Sequence, residues 1–141
     1  MTTDVPAGET LHHLLHAYRR ALRRAYDDAG LSLTVAQIRA LKSIRALAPT
    51  TAQGIAAYLQ RDKAQITRLL RELIDTGSVV KRPDPADGRR QILALSVEGQ
   101  ALLTRVDKSE RHVHGRLAAE LDRDDLNAFT RLSQRMIHNL D

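Results

Sequence analysis

Between Asp62 and Gly77 the apolar residues recur with a helical period, and directly beyond Gly77 that period falls to two. Ile66, Leu69, Leu70, Leu73 and Ile74 follow i, i+3, i+4, i+7, i+8 spacing, which places them on one stripe of a helix. The opposite face carries Ala64, Arg68, Arg71 and Asp75, with Gln65 and Thr67 on its flanks. Asp62 and Gln65 stand at capping-box spacing for the first turn, and Gly77 supplies the stop. Ser78-Val79-Val80-Lys81-Arg82 then reads as a short strand, with Gln91-Ile92-Leu93-Ala94-Leu95 as its partner. The stretch Pro83–Arg90 between them is dense in turn formers, so the strands make a hairpin with a charged tip.

The residues before Asp62 complete the motif. Thr50 and Gln53 form another capping-box pair, opening a short helix with Ile55, Ala56 and Leu59 inward. Only Gln60 and Arg61 separate it from Asp62, so two helices joined by a tight turn occupy roughly residues 51–76. That is a helix-turn-helix, and the hairpin attached to it is a wing. Further upstream, Thr34 and Gln37 cap a helix carrying Ile38, Leu41, Ile44 and Leu47, with Pro49 just past its end. A longer helical pattern runs from about Glu9 to Ala29, with Leu11, Leu14, Leu15, Tyr18, Leu22 and Ala25 on its stripe and Gly30 as the stop. Met1–Gly8 lacks an apolar period and is expected to be a loose terminus.

Beyond the hairpin, Ser96 caps a helix whose seam is Leu102, Leu103, Val106, Val113, Leu117 and Leu121. Gly115 marks a site for a bend or a close helix contact. Asp122 and Asp125 open a last helix bearing Leu126, Phe129, Leu132, Met136, Ile137 and Leu140. The first helix and the last two flank a small centre that offers limited surface for three wide apolar stripes. A second copy of the chain would bury them. It would also set two recognition helices about 34 Å apart, one DNA turn, on an inverted repeat.

Charge fits that expectation without proving it. Residues 1–49 and 50–95 each carry a net charge of +3, and residues 96–141 carry −1. The basic surplus therefore sits with the helix-turn-helix rather than the C-terminal helices. The absence of cysteine excludes disulfides, thiolate metal sites and cysteine redox chemistry. No run has the length of a membrane span and no signal peptide is legible, so a cytoplasmic protein with no membrane partner is expected. One Phe, three Tyr and no Trp leave few platforms for stacking single-stranded bases. There is no Gly-rich phosphate loop, nucleophile elbow or HExxH, and Asp27-Asp28 and Asp124-Asp125 read as helix-end solvation. No catalytic residue and no cofactor are expected. His12 and His16 share a helix face at i, i+4, His112 and His114 point to different faces, and His13 and His138 lack an obvious partner. No bound metal is expected from so sparse a set.

In Asp62–Leu70, in the wing Asp84-Pro85-Ala86-Asp87-Gly88-Arg89, and in Leu95-Ser96-Val97-Glu98-Gly99, the chain resembles the MarR family of bacterial winged-helix regulators. The family's Asp-x-Arg wing pattern falls on Asp87 and Arg89, and its Leu-Thr-x-x-Gly becomes Leu-Ser-x-x-Gly. The chain departs from it at Gly77-Ser78-Val79-Val80, where Gly-Leu-Ile is common, and at Gly88, where many members are basic. The resemblance implies a homodimer on a pseudo-palindromic double-stranded operator, with repression relieved by a ligand. Members similar to this chain bind small aromatic or phenolic anions between the dimerisation helices and the winged helix. Here that cleft would include Tyr18, Leu22, Leu41, Arg45, Val106 and His112.

The expected fold is mainly α with a small β-hairpin. Residues 1–30 form an N-terminal dimerisation helix, 31–96 a winged helix-turn-helix DNA-binding region, and 97–141 C-terminal dimerisation helices. Expected DNA contacts are Lys63, Ala64, Gln65, Thr67, Arg68, Arg71, Arg89 and Arg90, with Asp87 orienting a wing arginine by a salt bridge. The competing reading is a helical adaptor that binds protein through the same basic surface. Salt separates the two, because only DNA binding falls steeply and log-linearly with salt.

Overall fold

The computed structural model describes residues 6–141. Its elements are α1 (Ala7–Asp28), α2 (Val35–Leu47), α3 (Ala52–Leu59), α4 (Lys63–Asp75), β1 (Val79–Pro83), β2 (Gln91–Leu95), α5 (Val97–Leu117) and α6 (Arg123–Leu140). The expected order holds throughout. Of the expected loose terminus, Met1–Val5 lie outside the described residues, whereas Ala7 and Gly8 already belong to α1.

Local chemistry explains the boundaries. Thr34 and Gln37 form the expected reciprocal capping box, and so do Asp122 and Asp125. Ser96 accepts the Gly99 N–H at the start of α5. The cap of α3 is Thr51, which accepts the Gly54 N–H, rather than Thr50. Thr50 is instead buried, and its carbonyl accepts the Leu93 N–H at 2.8 Å, a bridge to the hairpin that periodicity does not reveal. Helix α4 ends at Gly77, whose φ of 84° is left-handed, and Ser78 N–H reaches back to the Leu73 carbonyl at 2.9 Å. The close helix contact expected at Gly115 is not found among the described residues, since nothing lies within 4 Å of where its side chain would stand, and α5 runs through it to Leu117.

The core is centred on α2. Ile38, Leu41 and Ile44 are fully buried there, with Ile55 from α3, Ile66 and Leu73 from α4, Val79 from β1, and Leu103 and Val106 from α5. Each such side chain contributes about 1.5–3 kcal/mol on burial. The hairpin pairs antiparallel, from Val79 opposite Leu95 to Pro83 opposite Gln91. Helix α1 joins this core through buried Leu22 and Tyr26, with Tyr18, Ala21 and Ala25 packed beside them. Its first half, with Leu11, Leu14 and Leu15, is exposed, and α6 buries no residue at all. Phe129 is 56% exposed and Leu140 86%.

Candidate nucleic-acid interface

Helix α4 lies on the core through Ile66, Leu70 and Leu73, which turns Lys63, Ala64, Gln65, Thr67, Arg68 and Arg71 to solvent. Asp62 does not close the expected capping box, since its side chain makes no bond to the helix. The turn before it explains this. Gln60 is left-handed at φ 52°, and it brings the Arg61 N–H onto the Ala56 carbonyl at 3.0 Å, leaving Asp62 extended and solvent-facing. The first turn of α4 thus lacks that side-chain cap, and a helix N-terminus in this state attracts phosphate. The Thr67 hydroxyl donates to the Lys63 carbonyl at 2.8 Å. Toward a base edge it therefore offers a lone pair and a methyl group, suited to a base amine or a thymine methyl.

At the wing tip, Asp84 Oδ1 accepts the Ala86 N–H at 2.9 Å and Asp87 Oδ1 accepts the Arg89 N–H at 3.1 Å. The expected Asp87 salt bridge is not formed. Among the described residues Asp87 pairs with no cation; it holds the backbone at Arg89 and so sets where that side chain leaves the turn. This local bond wins because the tip is a tight turn, in which an Asx side chain satisfies the N–H two residues on. Arg89 and Arg90 are exposed.

A cavity of about 410 Å³ runs between the N-terminal end of α3, the outward face of α4 and the hairpin. Lys63, Arg71, Lys81 and Arg90 line it together with Thr51 and Thr67. None of the four cations is ion-paired among the described residues, and neither are Arg68 and Arg89. Lys81 was missed in the sequence. Lys81 pairs with Leu93, so its side chain shares the hairpin face that lines the cavity. The result is an open positive groove floored by apolar Leu70 and Ile74 and edged by donors. Guanidinium and ammonium groups so placed bind phosphate oxygens, and Arg68, projecting from α4, has the fork that matches guanine O6 and N7.

The residues expected around a ligand do not come together as one cleft wall. Leu22, Leu41 and Val106 are buried in the core. Arg45 is held by Asp107, with bonds of 2.7 and 3.2 Å to its two carboxylate oxygens. The bonds to Arg45 hold the Asp107 carboxyl below its ordinary pKa, and the same bonds raise that of Arg45. Tyr18 is half-buried, and its hydroxyl meets His114 Nε2 at 3.0 Å with the two rings stacked; His112 is exposed. Burial, then the charge of Glu110, raises the Tyr18 pKa. Of the six, Arg45 lines a separate cavity of about 490 Å³, with Ile44, Arg82, Leu95, Leu103 and Thr104 around it. Among the described residues no three His, Asp or Glu side chains converge as metal ligands. Among the described residues no helix is long and apolar enough to cross a membrane.

Comparison with known proteins gives consistent results. Residues 30–90 match the family model described as the MarR family. The multiple antibiotic resistance protein MarR of Escherichia coli is 26% identical over 134 residues, 94% of this chain and 92% of that protein. The structure of a mutant E. coli MarR complexed with operator DNA superposes with a TM-score of 0.82 at 26% identity, covering 94% of each chain. Bordetella bronchiseptica BpsR, whose structure concerns regulation of DNA binding by 6-hydroxynicotinic acid, superposes with a TM-score of 0.81 at 18% identity, over 96% of each chain. This fold and these matches together support a winged-helix transcriptional regulator of the MarR family.

Proposed function

We propose that the chain is a homodimeric repressor that binds an inverted repeat in double-stranded DNA and is released by a small aromatic or phenolic anion. One observation carries the DNA reading. Four cations that are unpaired among the described residues, Lys63, Arg71, Lys81 and Arg90, line one groove between α4 and the wing, and Arg68 on α4 and Arg89 at the wing tip are exposed as well. In this reading α4 enters the major groove, where Ala64, Gln65 and Thr67 meet base edges and Arg68 and Arg71 fix register on phosphates. Arg89, carried out on the wing, enters the minor groove, where the potential is most negative. The operator complex of the E. coli relative supports the same use of the fold.

The dimer reading rests on α6 and the first half of α1, which leave Leu11, Leu126, Phe129, Met136 and Leu140 exposed on helices otherwise well formed. Exposed apolar residues clustered on one helix face in this way mark an interface. In this reading residues 1–30 and 97–141 associate the copies, and residues 31–96 read DNA. The effector reading seats the anion in the 490 Å³ cavity beside Arg45 and Arg82, between α2, α5 and the wing, where occupancy would move the wing against α4.

Selection of genomic fragments on purified protein, followed by footprinting, tests the core of the proposal. The expected result is a protected inverted repeat with half-sites about one turn apart. A protected site with a single unrepeated half would overturn the dimeric mode, and no enrichment would overturn DNA binding. A thermal-shift screen of hydroxybenzoates tests the effector; an Arg82→Ala protein should lose any stabilisation seen, and retention of it there would refute the seat.

A further inference from the structure

Helices α2 and α5 are joined by a polar ladder that the DNA site does not use. Glu110 is only 7% exposed, yet both its oxygens are engaged. The Tyr26 hydroxyl of α1 donates to Oε1 at 2.5 Å, and the Lys42 ammonium of α2 binds Oε2. One turn away on α5, Asp107 holds Arg45, one turn away on α2, through the bidentate bond described above. Residue numbers rise along α2 as they fall along α5, so the helices cross antiparallel with two ion pairs as rungs. A third tie runs from Arg105 of α5 to the Ala29 carbonyl at the end of α1, at 2.7 Å. Around the rungs the packing is aliphatic, from Leu41, Ile44, Leu103 and Val106.

We propose that Glu110, with the Arg45–Asp107 pair, is a clasp that fixes the orientation of the reading unit on α5 and so sets the separation of the two α4 helices in the dimer. The inference rests on the dimeric DNA-binding reading above and goes beyond it. Aliphatic contact is non-directional and lets two helices slide and rotate against each other. Charge-assisted bonds, above all a bidentate pair, fix angle and register. From α2 the orientation passes to the reading helix through the shared core and through the Gln37 amide, which donates to Glu72 of α4 at 3.1 Å. A carboxylate this buried is a poor source of net stability, because desolvation offsets its attraction to lysine. Its value here is geometric. One base pair of half-site spacing corresponds to a rotation of about 35° around the DNA, so a regulator on an inverted repeat gains selectivity from a fixed separation.

The chain has no cysteine, so a single Asp75→Cys change at the exposed end of α4 gives one spin label per protomer. Electron–electron distance measurement then reports the spread of the α4–α4 separation without DNA. The triple variant Tyr26→Phe/Lys42→Met/Glu110→Leu replaces the inner rung and its tyrosine by apolar groups of similar shape. It is expected to stay folded with a distance distribution at least about twofold broader than the parent. If it does not fold, the pair Asp107→Ala/Glu110→Gln, one change at a part-exposed site and one isosteric, reads the same quantity. An unchanged width in the variant that folds would overturn the clasp. The exchange Arg45→Asp/Asp107→Arg restores the outer rung and should return the narrow width that Asp107→Ala alone loses; a simply structural role would not produce that rescue. On the selected operator, one inserted base pair at the dyad should weaken the parent by about tenfold and the triple variant by less than about threefold. Parent protein that binds no DNA while the width still responds would sink the functional reading and leave the clasp standing.

Discussion

Replacing Gly99 with alanine should destabilise the fold, although helix propensity alone says the opposite. Gly99 lies in the first turn of α5, where alanine is favoured over glycine by about 1 kcal/mol. A Cβ at this position would overlap the Ser78 carbonyl oxygen and stand 3.0 Å from its carbon, both of them backbone atoms with no rotamer to escape into. The joint would have to open by on the order of 1 Å to restore van der Waals contact. Two bonds hold it closed, Ser96 N–H to the Ser78 carbonyl at 3.0 Å and the Ser96 hydroxyl to the Gly77 carbonyl at 2.5 Å, and Ser96 Oγ also caps α5 by accepting the Gly99 N–H at 2.9 Å. Loss of the two closing bonds at about 1 kcal/mol each, with overpacking of about 1–3 kcal/mol, outweighs the propensity gain and leaves a net cost of about 3 kcal/mol. For a chain of this length that lowers Tm by about 10 °C. Thermal unfolding followed by circular dichroism, at matched protein concentration because association would itself shift Tm, measures it. A variant as stable as the parent, or more so, would refute the close approach of β2–α5 to the α4–β1 turn.

Three further outcomes follow from named contacts. Gln60→Gly should stabilise by about 0.5–1 kcal/mol, since it relieves a left-handed non-glycine residue in the helix-turn-helix; urea unfolding with a lower midpoint would contradict this. Asp107 has a folded pKa below its ordinary 3.8, so its pair with Arg45 contributes stability that is full above that value and is lost as pH falls through the lower folded value. Asp107→Asn should therefore flatten the acid limb of Tm against pH below about pH 4, and an unaltered limb would exclude the pair as its source. Arg68→Ala and Arg89→Ala should each weaken DNA binding by at least about 1 kcal/mol with Tm unchanged, read by fluorescence anisotropy and thermal unfolding on the same samples.

Most of the architecture was legible because periodicity and caps are local signals. The switch from helical to alternating period after Gly77 marks the wing to within a residue, and Thr34–Gln37 and Asp122–Asp125 form the boxes their spacing suggests. Spacing fails where a tertiary constraint competes. Asp62 satisfies the box pattern, but the left-handed turn at Gln60 aims it at solvent. Asp87 and Arg89 invite an ion pair, but the tight tip gives the carboxylate a nearer donor in the backbone. Lys81 joins the basic groove only when the hairpin folds beside α4. Glu110 was not singled out, because a lone glutamate on a helix carries no sign that Tyr26 and Lys42, 84 and 68 residues away, will meet it. The aliphatic residues expected around a ligand were correctly inward, and for that reason they serve as core and line no open wall.

In the proposed function the groove between α4 and the wing holds DNA by its phosphates. The most direct measurement is equilibrium binding to the selected duplex across a salt series, for the parent and for Lys81→Ala, a residue with no core role. Affinity should fall log-linearly with salt, with a slope shallower by about 1 for the lysine variant. A salt-independent affinity, or a slope identical in the two proteins, would contradict it.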